Sequence, residues 1–432
     1  MVHRMYSGLG TRPKKAVGKS SRNGAFNRTV IALGVTSFFT DISSEMVAAV
    51  VPLFLTVGLG FTPVGFGLFR VAEELANALL RLVGGAIADR SRRPKETAAA
   101  GYGFSTLTRI ALLGSAVAGL PKIAVSSLLA DRLGKGLRTA PRDAMISLAT
   151  PERSWGTAFG FHRTLDATGA LIGPLIAFAI LWVLPGSFDS IFLLSVGFGL
   201  LGFAVIMTWV RNPTIHEPKQ ASSDKLRDSI LAHVKNDAFR RILLVGVMFG
   251  VFSIGDAFVY LAILDAARSS SEIGTGVGAQ WFPLLFAGTA VAFLLTATPL
   301  GRLADRVGRA RVWVVGQLLL AGVYFALIFE PTSVLAIGGV LVMLGIYYGA
   351  TDGVLPALAA GVIPESLRSS GLALLSTAVA LARGASALSF GLIWERIGVD
   401  RALALVCGGL VFSIIAITFT ALVREDLSET KR

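Results

Sequence analysis

Charged side chains interrupt apolar stretches of this chain at helical spacing. Asp41 and Glu45 stand four residues apart, on one face of a helix. Asp131, Arg132 and Lys135 sit in a later stretch, and Arg138 and Arg142 continue the face of Asp131 and Lys135. His162 and Asp166 are again four apart, with Arg163 beside the histidine. The second half of the chain is sparser, with Asp256, Asp352 and Arg383. Burial makes a carboxylate hold its proton, and a nearby cation makes it release one. The chemistry open to these residues is therefore proton binding and release.

Asp41 and Asp166 are the first candidates for the proton-binding group, and Glu45 is the third. Arg132 and Lys135 would tune it. His162 could relay, since an imidazole titrates near neutrality. Asp131, Arg138, Arg163, Asp256, Tyr348, Asp352 and Arg383 are candidates for lining a central cavity. The other reading is structural: an ion-pair network that ties helices together, because such networks use the same residues. The sequence leaves both readings open. Glu73 and Glu74 are adjacent in another stretch, so they point in different directions, and at least one must face protein or water.

Long apolar helices must hold these groups. Apolar residues make up 53% of the chain and charged residues 16%, against about 25% charged in a soluble domain. The mean hydropathy is +0.69. A membrane-crossing helix needs about 20 apolar residues. Twelve candidate spans can be drawn: 29–57, 63–88, 96–119, 123–141, 156–184, 189–211, 240–267, 278–301, 311–329, 332–361, 369–396 and 401–423. The 48 glycines suit close helix packing in lipid. An ionisable group at the bilayer centre costs roughly 2.5–3.5 kcal/mol on insertion scales, so it should face a cavity or a partner.

The chain is duplicated. Gly85, Asp89 and Arg90 recur as Gly301, Asp305 and Arg306, 216 residues on, and both copies are followed by a basic turn. Asp41 matches Asp256 and Gly156 matches Gly371, each at an offset of 215. The expected organisation is a polar tail (1–28), a six-helix half (29–211), a central linker (212–239), a second half (240–423) and a short tail (424–432). The fold class expected is an all-α membrane protein of twelve transmembrane helices in two pseudo-symmetric halves. Parallel repeats of this kind are a transporter architecture.

Lys and Arg concentrate in the first tail, in the two duplicated turns and in the linker, while residues 58–62 and 184–190 carry none. Both termini are therefore expected in the cytoplasm. The same clustering explains the net charge of +13 without nucleic acid. The lone Cys407 permits no internal disulfide, and four scattered histidines give no metal spacing. The first 27 residues lack a signal-peptide core. No phosphate-binding Gly-x4-Gly-Lys-Ser/Thr loop occurs, which argues against ATP drive.

These motifs resemble the major facilitator superfamily over about residues 29–423. The Gly85-Asp89-Arg90 turn is similar to that family's general signature. Its second copy is complete, with Gly308 and Arg309, while the first has Arg92 where glycine is usual. Arg132, four residues before Gly136, resembles the span-four motif whose arginine is associated with proton transfer, with Lys135 in place of a glutamine. Gly160, Gly169, Gly173 and Pro174 resemble the span-five motif of the drug/proton-antiporter branch, although Ala177 and Phe178 replace its closing glycines.

The resemblance implies alternating access, with the paired turns as a cytoplasmic gate. A purely topological role for the turns is the alternative. The span-five glycines and Pro174 read equally as a packing face or as a hinge that biases antiport. The expected function is proton-coupled efflux of a small organic compound, with no enzymatic activity. The alternative is proton-coupled uptake of a metabolite or organic anion, such as a sugar or siderophore. The expected partners are a small-molecule substrate, protons and the lipid bilayer, with no cofactor and no metal. A monomer in a bacterial inner membrane is expected.

Overall fold

The computed structural model describes residues 27–90, 93–151, 154–211, 236–269, 278–331, 333–363 and 368–429. For 78–90, 140, 155–156, 268–269, 368–370 and 419–429 it describes the backbone alone. The regular structure among them is helical throughout. Each expected span is occupied by helix. Span one is Arg28–Ala48, prolonged by a short helix at Val51–Leu53 and a wide π turn at Phe54–Gly58. Spans two to six are Pro63–Arg90, Pro94–Val117, Pro121–Ala149, Trp155–Val183 and Phe188–Trp209. Span seven is split into Asp237–Val251 and Asp256–Ser269. Spans eight and nine are Phe282–Val307 and Arg309–Ile328. Span ten is split into Val334–Thr351 and Val354–Ala360, and spans eleven and twelve are Arg368–Ile397 and Val399–Glu429.

Two boundaries differ from expectation. Span four runs to Ala149, past Pro141. A proline removes one helix hydrogen bond, and neighbouring helices can keep such a segment helical. Span twelve runs through 424–429, where a tail was expected. Most of the first tail and of the central linker lies outside the described residues.

The same device opens both halves. The Asn27 side chain accepts from Val30 N at 2.9 Å and donates to Ala149 O, at the end of span four, at 2.6 Å. The Asn236 side chain accepts from Ala238 N at 3.0 Å and donates to Val362 O, just past span ten, at 3.0 Å. Each asparagine caps a free helix end and clips it to another helix of its own half.

Nine of the described helices are long and apolar enough to cross a membrane. Large apolar side chains such as Leu107, Val117, Leu193, Leu295, Phe325 and Phe412 face outward. Such a surface would aggregate in water and is solvated by lipid. The protein is an integral membrane bundle.

Span one packs on spans five and six, span three on four and six, and span two on four. In the second half span eight packs on ten, and nine on ten and twelve. Across the halves, span two meets eleven and span five meets eight. These crossings lie at the ends remote from the duplicated turns. A Cβ on Gly67 would lie 2.8 Å from Ala387 O, so the backbones of spans two and eleven nearly touch. Trp281, at the start of span eight, packs with ring centroids 5.3 Å from both Phe178 and Trp182 of span five, edge-on to the tryptophan.

Candidate functional site

Spans one to five build a chain of ion pairs. Span four supplies most of the cations. Arg132 pairs with the buried Glu73, which also pairs with Arg70 one turn earlier on span two. Lys135 Nζ lies 4.0 Å from Glu45, and Arg138 lies 4.0 Å from Asp41 with its guanidinium over the Tyr102 ring. Arg142 reaches Asp166 at 3.7 Å and Asp143 at 3.0 Å. Asp131 faces the other way, toward Arg109 of span three at 3.4 Å.

Two expected residues come together here. The side chains of Asp41 and Asp166 face each other across spans one and five, close enough to interact electrostatically. Two carboxyl groups held this close disfavour ionising together. Gly169 makes the approach possible. A Cβ there would lie 2.5 Å from Phe38 O and 3.3 Å from the Asp41 Cβ. One turn further, a Cβ on Gly173 would lie 2.7 Å from Met46 N. His162 is buried, with Nε2 2.9 Å from Ser37 Oγ, and Ser37 also accepts from Arg142 at 3.3 Å. A polar chain thus joins His162, Ser37, Arg142 and Asp166. Arg163 is exposed.

The second half holds a cavity lined by charged side chains. A cavity of about 320 Å³ lies between spans seven, nine, ten and eleven, bounded on one side by Glu74 and Asn77 of span two. Trp313, Gln317, Tyr347, Asp352 and Arg383 line it. A smaller cavity of about 80 Å³ adjoins it and shares Glu74, Ser253, Tyr347 and Arg383. Arg70, Asp256 and Tyr348 line this one. Of the cavity candidates, Asp352 lines the larger cavity, Asp256 and Tyr348 the smaller, and Arg383 both. Asp131, Arg138 and Arg163 do not reach it. Among the described residues no group of three His, Cys, Asp or Glu side chains is placed to hold a metal ion.

The sequence profile of the Major Facilitator Superfamily matches residues 33–384, and again 269–432. This chain belongs to the Major Facilitator Superfamily. An uncharacterized transporter of the same superfamily from Methanocaldococcus jannaschii is 27% identical over 372 residues, covering 85% of this chain and 89% of its own length. The multidrug resistance protein MdtG of a Rahnella strain is 24% identical over 344 residues, covering 77% of this chain and 78% of its own. Among solved structures, the nucleoside transporter NupG superposes with a TM-score of 0.74 at 13% identity, covering 90% of this chain and 98% of its own. A POT family transporter bound to a peptide conjugate gives 0.74 at 14%, covering 92% and 96%. At such identities the structures share the fold alone.

The superfamily's turn signature is described fully only in its second copy. Gly85, Asp89 and Arg90 close span two, and their side chains lie outside the described residues. In the second copy Asp305 accepts two hydrogen bonds from Arg309, at 2.9 and 3.1 Å. Arg309 also donates to Ala357 O at 3.3 Å, which ties the turn to span ten. Gly308 has φ +105°, a conformation glycine alone adopts freely, and it separates spans eight and nine. Arg306 is exposed, and nothing crowds Gly301. On span five the helix is continuous through Gly160, Gly169, Gly173 and Pro174. Gly160 faces open space, while Gly169 and Gly173 pack on span one.

Two residues of the network escaped the sequence reading. Arg70 and Arg109 sit singly in apolar surroundings, and their partners lie on other helices or one turn away. Arg70 precedes Glu73 and Glu74 at the spacing of an ion pair on one helix face. That spacing was a usable signal.

Proposed function

We propose that this protein is a proton-coupled secondary transporter that exports a small organic compound by alternating access. The observation that carries the proposal is the contact between Asp41 and Asp166, which lie 4.0 Å from Arg138 and 3.7 Å from Arg142 respectively. Two acids that share one proton between cations form a site whose proton count changes when the helices shift. Glu45 and Lys135 extend the site along spans one and four, and His162 offers a route for the proton. The glycine packing of span five on span one supports an antiporter-like branch. The likeness to the multidrug resistance protein MdtG points the same way.

In this reading the basic turns face the cytoplasm, with both chain ends on that side of a bacterial inner membrane. Among the described side chains the halves meet toward the opposite ends, which supports a conformation open to the cytoplasm. Gly85, Asp89, Arg90, Gly301, Asp305 and Arg306 are then the gate that closes when the carrier turns outward. The working unit is a monomer, because two halves already complete one path.

The test is flux in liposomes with a trapped pH dye. Pools of lipophilic cations, organic anions, sugars and siderophores are added against an imposed pH gradient. A transported compound should dissipate the gradient in the wild type and not in Asp41→Asn or Asp166→Asn. Protons moving against the compound identify antiport. Uptake of a labelled compound without proton movement would overturn the coupling. The second reading is proton-coupled uptake of a metabolite, favoured by Arg383, which has no acidic partner within ion-pair distance among the described residues. Protons moving with the compound would establish it.

A further inference from the structure

Two opposite charges on the wall of the 320 Å³ cavity have no ion-pair or hydrogen-bond partner among the described residues. Arg383 projects from span eleven and lines both cavities. Asp352, at the break of span ten, is exposed at the rim of the larger one. Each lies within the other's electrostatic reach, yet they stand beyond ion-pair distance. The third charge on this wall, Glu74, lies 3.8 Å from Arg70. Gln317 adds an unmet acceptor: its Oε1 is buried and has no hydrogen-bond partner, and the residue is 3% exposed. The remaining wall mixes polar side chains (Asn77, Ser253, Thr351 and Ser376) with apolar ones, among them Trp313, edge-on to Phe249 at 4.7 Å.

An unpaired guanidinium beside a buried acceptor is costly unless something supplies the missing groups. A simple anion would satisfy Arg383 but would face the carboxylates of Asp352 and Glu74. A simple cation would satisfy Asp352 but would face Arg383. A molecule carrying both charges satisfies both walls and leaves the net charge of the cavity unchanged. Pockets for small molecules run from about 300 to 1,000 Å³, so this one suits a compound at the small end of the range.

We propose that the cavity binds a small zwitterion of the amino-acid type. Its acid group takes the guanidinium of Arg383, its ammonium takes Asp352, and Gln317 Oε1 accepts one further N–H or O–H. The proposal rests on the carrier reading above and names its substrate class.

The experiment is calorimetric binding to the purified full chain in detergent, which needs no flux. The probes are the twenty proteinogenic amino acids, their N-acetylated acids and their amides. At least one amino acid should bind. Its N-acetyl and amide forms should bind about tenfold more weakly or worse, the loss of one charge-assisted contact. Arg383→Gln should weaken the amino acid by the same factor and leave it no better than its amide. Asp352→Asn should leave it no better than the N-acetyl form. Asp352 is exposed, so Asp352→Asn keeps the fold, and Arg383→Lys supplies a charged variant should Arg383→Gln not fold. The proposal is overturned if no amino acid binds the wild type, or if either capped form binds as tightly as its parent. Binding as stated without flux in liposomes would overturn the carrier reading alone. Flux of another compound with no amino-acid binding would overturn this proposal alone.

Discussion

Asp41 and Asp166 face each other from two different helices, each beside an arginine of span four. Replacing either with asparagine supplies a permanent donor. Both variants should fold and bind compound, yet carry no protons. The pH-dye liposome assay checks this, with exchange of labelled for unlabelled compound as the control for intact binding. Proton movement at the wild-type rate in both variants would assign the pair to structure.

Glu73 is the hub of the cation cluster. It is 4% exposed and pairs with both Arg70 and Arg132. Glu73→Gln takes the close anion from Arg132 and leaves Arg70 only Glu74, 3.8 Å away. Breaking a buried pair in this way costs about 3–5 kcal/mol. Thermal unfolding in detergent should show a clear fall in Tm. The double variant Arg132→Met, Glu73→Met should recover part of it.

Gly169 and Gly173 set the distance between spans one and five. Gly173→Val should destabilise by about 1–3 kcal/mol through overpacking. Gly169→Ala presses on the Asp41 Cβ, so it should lower proton coupling more than it lowers Tm. Measuring both quantities on both variants separates the two effects.

Gly308 and Gly301 belong to the same turn and should respond differently. Gly308→Ala forces alanine to φ +105°, at a cost of about 1–3 kcal/mol. Gly301 meets open space, so Gly301→Ala should leave Tm unchanged. Side-by-side melting curves decide it.

Asn27 and Asn236 should also behave as a pair. Each caps a helix and clips it to another. Alanine at either position should cost about 1 kcal/mol or somewhat more, and the two losses should add, because the sites lie in different halves. A melting series of single and double variants measures this.

The duplication, the spans and the all-helical fold were legible because apolar length and turn charge are local signals. So were Asp41 and Asp166 as individuals, since a carboxylate in an apolar run is conspicuous. Their contact was not legible, because it depends on how spans one and five pack. Arg109 is a single cation whose anion, Asp131, lies on the next helix. The helix breaks were also hidden. Pro52 marks a new helix start, whereas Pro141, Pro174 and Pro299 ride inside continuous helices. Proline alone therefore does not locate a break in lipid, where neighbours restore what it removes.

The seam between spans two and eleven has a mechanical consequence. Gly67 sits against Ala387, and Gly391 against Pro63, so main chains rather than long side chains meet there. Such a surface has few knobs to withdraw from holes. The two halves can tilt apart along it with little rotamer rearrangement, like smooth rails rather than meshed gears. Little main-chain rearrangement opposes a tilt at this joint, so in the proposed transport cycle the charged network of spans one to five is expected to offer more of the resistance.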